Sequence, residues 1–82
     1  MPTVLRIDGL RVVIYPNDHR PAHAHVIGQK GEAVFILHCP DGPPELRESY
    51  RFSRPEVGRI RSALAMELAT LCDEWRKIHG HY

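Results

Sequence analysis

Little in this chain points to a membrane, a disulfide scaffold or a general polyanion partner. Its two cysteines in 82 residues are too few and too irregularly spaced for the framework of a small secreted domain or for a four-cysteine zinc site. Cys39 and Cys72 are therefore read as reduced thiols, with Cys72 a small hydrophobe at the edge of an apolar stripe rather than a catalytic thiol. No apolar run approaches the about 20 residues that a bilayer-crossing helix needs. Arg6 and Asp8 interrupt what would have to be the apolar core of a signal peptide, so the expected location is the cytoplasm, away from any membrane. A formal net charge of +1 gives no global attraction to nucleic acid or anionic lipid, so any basic surface has to be local. Repeats, low-complexity tracts and linkers are missing too, which leaves one domain around one core, at a size where folding buries only about 60% of the unfolded surface.

What is present is β structure followed by a helix. Thr3 to Ile7 and Leu10 to Tyr15 are β-rich runs on either side of Asp8-Gly9, a dipeptide that accepts the positive φ values of a type I′ hairpin turn. In that register Ile7 faces Leu10, Leu5 faces Val12 and Thr3 faces Ile14, while Arg6 faces Arg11. Pro16 to Pro21 is a loop, because proline lacks the amide hydrogen a ladder needs and Asn17-Asp18 favours turns. Ala22 to Ile27 and Glu32 to His38 read as a second hairpin around Gly28-Gln29-Lys30-Gly31. Alternation puts Ala24, Val26, Phe35 and Leu37 on one face and His23, His25, Val34 and Ile36 on the other. Cys39 to Pro44 is a proline-rich loop, and Glu45 to Phe52 is a candidate fifth strand with poor alternation.

From Arg54 the period becomes helical. Ser53 and Glu56 form a capping box, Pro55 suits the first turn, and Gly80 is the expected stop. Val57, Ile60, Leu64, Leu68, Leu71, Trp75 and Ile78 make one stripe along a helix of about 25 residues, roughly 37 Å long. The fold class expected is α+β, two antiparallel hairpins forming a four- or five-stranded sheet packed on one long C-terminal helix. Such a helix overhangs a sheet of short strands, which makes Trp75 and Ile78 candidates for an interface with a protein partner or a second copy.

Six histidines are the compositional oddity, and His19, His23 and His25 fall within seven positions. Imidazoles two apart on a strand lean the same way and can share a divalent metal such as zinc. His19 is a candidate third ligand, with oxygen from Asp18 or Glu32. A second chemistry needs no metal: one imidazole as base, another as acid, and Arg20 or the Arg6 and Arg11 pair on a phosphodiester. The structural alternative has His19 and His23 brace the loop against backbone carbonyls near Pro16 and Pro21, with His25 an ordinary strand residue. His38, His79 and His81 are taken as incidental. Arg47, Arg51, Arg54, Arg59 and Arg61 cluster near the helix start, and Arg6, Arg11, Arg51 and Arg54 are the candidates for touching RNA or DNA. Aromatic residues to interleave with them are limited to Tyr50 and Phe52.

Met1 to Gly9, Tyr15-Pro16-Asn17-Asp18-His19, Pro21-Ala22-His23-Ala24-His25-Val26, Gly31-Glu32-Ala33, Phe52-Ser53 and Trp75 together resemble a small bacterial family, domain of unknown function family 4160. Ala22 stands where proline is more usual there, and Cys39 to Pro44 is richer in proline than expected. The resemblance implies an unassigned bacterial protein, often encoded beside another short protein in the manner of toxin–antitoxin pairs, and brings no established activity. The expected function is thus an interaction module of such a pair; the alternative is a small histidine-dependent or metal-dependent ribonuclease.

Overall fold

A computed structural model describes residues 3–82. Five strands, β1 (Thr3–Ile7), β2 (Leu10–Val13), β3 (His23–Ile27), β4 (Glu32–Ile36) and β5 (Glu45–Tyr50), precede two helices, α1 (Arg54–Met66) and α2 (Leu68–His79). The strands form one antiparallel sheet in the order β1-β2-β3-β4-β5, so each strand lies beside its sequence neighbour. The first turn is built as Asp8-Gly9 requires, with φ of 48° and 81°, the left-handed values that match a type I′ turn to strand twist.

Alternation sorts the two sheet faces. Val12, Ile14, Ala24, Val26, Ala33, Phe35 and Leu37 pack in one cluster with Val57, Ile60, Leu64, Leu71, Cys72 and Trp75, so the helices cover that face. The opposite face carries Val13, His25 and Val34 in register across β2, β3 and β4. Val13 and Val34 are buried.

Three expectations are corrected. Thr3 pairs with Val13 rather than Ile14, because an irregularity between Thr3 and Leu5 shifts the register after Ile7, Arg6 and Leu5 have paired as expected. The candidate fifth strand forms as expected, and a similar shift between Val34 and Phe35 accounts for its poor alternation in sequence. The single long helix is two: Glu67 leaves helical geometry at φ −106°, ψ 16°. A straight helix of about 37 Å would exceed the longest dimension of the fold, 33 Å. The break keeps α2 on the core, and Trp75, expected to overhang, is fully buried while Ile78 stays exposed. Finally, Cys39 and Cys72 are joined as a disulfide with Cα atoms 5.7 Å apart. Their 33-residue separation hid the pairing, since only the packing of the loop after β4 on α2 brings them together. The reduced-thiol reading is withdrawn, and with it the support it lent to a reducing compartment. Among the described residues no helix is long and apolar enough to cross a membrane.

Candidate metal centre

The loop between β2 and β3 folds back over the histidine face. Asp18 is tied to Tyr15 in both directions: its amide donates to the Tyr15 carbonyl at 3.1 Å, and its Oδ2 accepts from the Tyr15 amide at 3.2 Å. This turn carries the Asp18 carboxylate over the start of β3, where His23 and His25 point to the same side of the strand.

The three side chains converge. Asp18 Oδ2 lies 3.4 Å from His23 Nε2 and 3.4 Å from His25 Nε2, and one ligand atom from each residue falls within 4.8 Å of the other two. His23 is 6% exposed, so solvent does little to relieve what these atoms lack. The proton on its ring can be placed, because Nδ1 is 2.9 Å from the Pro21 carbonyl oxygen. A carbonyl only accepts, so Nδ1 carries the hydrogen and a neutral His23 turns its Nε2 lone pair toward Asp18. A lone pair facing a carboxylate is repulsive unless something positive stands between them. Neither ring nitrogen of His25 makes a hydrogen bond among the described residues, though both are buried.

The separations distinguish between remedies. A charge-assisted hydrogen bond between imidazolium and carboxylate is typically about 2.7–2.9 Å long, shorter than either 3.4 Å gap. Two ligands each about 2.0–2.1 Å from a tetrahedral zinc ion stand about 3.3–3.4 Å apart. The two Asp18-to-histidine gaps therefore have the spacing of atoms around a small divalent cation.

Aromatic neighbours surround the two histidines. The Tyr15 ring meets His25 edge-on at 4.9 Å, the two imidazoles are 5.3 Å apart, and Trp75 lies 5.4 Å from His23. Trp75 is stacked on His79 at 3.9 Å, and its indole donates to the His81 carbonyl at 2.9 Å. Glu32 Oε2 is 3.7 Å from His25 Nδ1, on the far side of the ring from Asp18 and beyond hydrogen-bond reach.

Of the residues singled out from sequence, Asp18, His23 and His25 come together. Glu32 stands behind His25 rather than beside the other two ligands. His19 is exposed, and with Asn17, Arg20, Pro21, Ile36 and Arg47 it lines a groove whose walls include Asp18 and His23. Arg6 and Arg11 face one another across β1 and β2 as expected. Arg51 and Arg54 are exposed on the segment leading into α1 and do not line this groove. The loop-bracing alternative holds for His23 Nδ1 and fails for His25. Of the remaining histidines, His38 is 2.6 Å from Glu45 and the His79 ring stacks on Trp75, whereas His81 meets Trp75 only through its backbone carbonyl.

Sequence reasoning missed Tyr15, Trp75 and the place of Arg47. For Tyr15 a signal existed: Val13 pairs with His25, so the residue two beyond it, just past the end of β2, lies diagonal to that ring. Trp75 meets His23 from α2, beyond the break at Glu67, and no residue type marks that break.

Comparison with known proteins adds a family and no activity. No curated protein and no solved structure matches the chain. The model of a family described as a domain of unknown function, DUF4160, matches residues 9–76. That match takes in most of the chain, including β2 to β5, α1, Asp18, His23, His25 and Trp75, and the chain accordingly belongs to the DUF4160 family.

Proposed function

We propose that the chain is a small divalent-metal-dependent ribonuclease in which Asp18, His23 and His25 hold the cation. One observation carries the reading: a carboxylate oxygen 3.4 Å from two imidazole nitrogens, one of them on a ring whose orientation is held by the Nδ1–H bond to the Pro21 carbonyl. Two nitrogens and one oxygen suit zinc, and three protein ligands leave a position for water, whose acidity the cation raises toward neutrality. Hydrolysis then needs an anchor for the phosphate and a proton for the departing ester oxygen. Arg20 and Arg47 border the groove beside the ligands and His19 is exposed on the same rim, which suits guanidinium binding of phosphate and proton donation by imidazole. Purified protein should contain about one equivalent of zinc or a related divalent ion by elemental analysis, as expected for a three-ligand site. It should cleave single-stranded RNA, with cleavage abolished by chelation and by Asp18→Asn. Protein that is free of metal after reconstitution, or that cleaves equally with chelator, would sink the proposal.

A second reading treats the chain as an interaction module, one member of a toxin–antitoxin-like pair bound to a protein partner or a second copy. Its support is that, among the described residues, β1 and β5 each end the sheet without a further strand beside them, leaving backbone donors and acceptors for a strand of another chain. Ile78 and Met66 are exposed as well. Under this reading light scattering shows mass rising with concentration and Ile78→Asp reverses the rise; a constant monomer mass counts against it.

A further inference from the structure

The cations on the histidine face are arranged on both sides of the proposed centre. Arg11 precedes Val13 by two positions on β2, Val13 pairs with His25, and Arg6 pairs with Arg11, so both arginines belong to the face that the helices leave uncovered. From strand rise and spacing, the Cα atoms of Arg11 and Arg6 lie about 8 Å and about 12 Å from that of His25. On the other side, Arg20 and Arg47 border the groove whose lining includes Asp18 and the buried His23. Arg47 falls where the β4–β5 register shifts, between the partners of Val34 and Phe35.

None of these four arginines has a carboxylate partner; among the described residues the lysine and arginine ion pairs are those of Lys30, Arg76 and Lys77. Tyr50 pairs with Glu32, which pairs with Ile27, itself opposite Arg11. That puts a tyrosine 60% exposed in the same cross-strand row as the Arg6 and Arg11 pair. Glu32 lies in that same row between Arg11 and Tyr50, and Glu48 shares the face, so the arginines and not the β4–β5 side of the row attract a polyanion.

We propose that this face is a track for single-stranded RNA, which passes over Arg6 and Arg11, crosses Asp18, His23 and His25, and leaves over Arg20 and Arg47. Guanidinium groups on both sides of a reacting centre hold successive phosphates of one strand, and an exposed aromatic ring accepts an unpaired base but not one stacked in a duplex. The track deepens the ribonuclease reading by giving its substrate a direction and a strandedness. Which phosphate is cut depends on that reading; binding to the track does not.

The test is fluorescence anisotropy of a short end-labelled single-stranded RNA with chelator present, so that binding is read without cleavage. Arg6→Gln with Arg11→Gln, and separately Arg20→Gln with Arg47→Gln, should each weaken binding about tenfold or more. Each pair should also reduce the slope of log affinity against log salt by about 1.4, at about 0.7 per phosphate contact on a single strand. Arg59→Gln with Arg61→Gln, exposed on α1, is the control and should shift affinity less than about twofold, since neither side chain belongs to the track. The single changes Arg6→Gln and Arg47→Gln, both at exposed positions, should give the same ordering without risk to the fold. In the presence of metal, His25→Ala should abolish cleavage. Equal losses in the control, or a duplex of the same sequence bound as tightly as the single strand, would overturn the track. Intact binding by a protein that never takes up metal would overturn the ribonuclease reading and leave the track standing.

Discussion

His23 and His25 differ in what the fold does with them, although sequence alternation treats them alike. His23 is buried, bonded to Pro21 and packed against Trp75; His25 has two buried nitrogens without a hydrogen bond. Deleting a bonded buried group costs more than deleting an unsatisfied one. In metal-free protein, His23→Ala should destabilise by about 1–3 kcal/mol in urea titration, whereas His25→Ala should cost clearly less. Equal losses would mean that His25 is a structural residue. The pairing of the two imidazoles on one side of a strand was legible from His-x-His, because the period of an extended chain is two. The selection of Asp18 over Glu32 as the third group was not, because it depends on how the Pro16 to Pro21 loop folds back.

At the level of elements, the start of α1 is pinned more firmly than its capping box alone requires. The Ser53 hydroxyl accepts from the Glu56 amide and the Glu56 carboxylate from the Ser53 amide, and Lys30 from the β3–β4 turn adds an ion pair with Glu56 at 2.8 Å. The Lys30 ammonium first, and then the Ser53 amide, hold the Glu56 carboxyl down at about 2, below its usual 4.5. A carboxyl with a lowered folded value contributes stability above about 4.5, and that contribution is lost as pH falls toward about 2. Thermal melts should therefore decline across this window. Lys30→Ala should lower the melting temperature at neutral pH and flatten the decline, the two curves converging near the acid end; parallel curves would show that the pair is not coupled to folding. Ser53, Glu56 and Gly80 were readable because caps are local patterns. The break at Glu67 was not, since neither proline nor glycine marks it.

The whole molecule is closed by contacts distant in sequence, and these are where reading the chain fell short. The Cys39–Cys72 bond ties the loop after β4 to α2, one turn before the Trp75 that packs on His23. Closing a loop of 33 residues restricts the unfolded chain by about 2–4 kcal/mol. Cys39→Ser with Cys72→Ser should lower stability to urea by about that amount; no loss would remove the bond from the account of how α2 is held. Strand order followed from local hairpins, so the sheet was legible while the helix pair, the disulfide and the aromatic wall of the site were not.

Trp75 is the one tryptophan in the chain and lies 5.4 Å from His23, so its emission reports directly on the proposed centre. Zinc added to metal-free protein should change that emission and saturate at one equivalent, and Asp18→Asn or His25→Ala should remove the saturable change while leaving the fold intact. An emission indifferent to zinc, or a response of the same affinity in those variants, would contradict the claim that Asp18, His23 and His25 bind a cation.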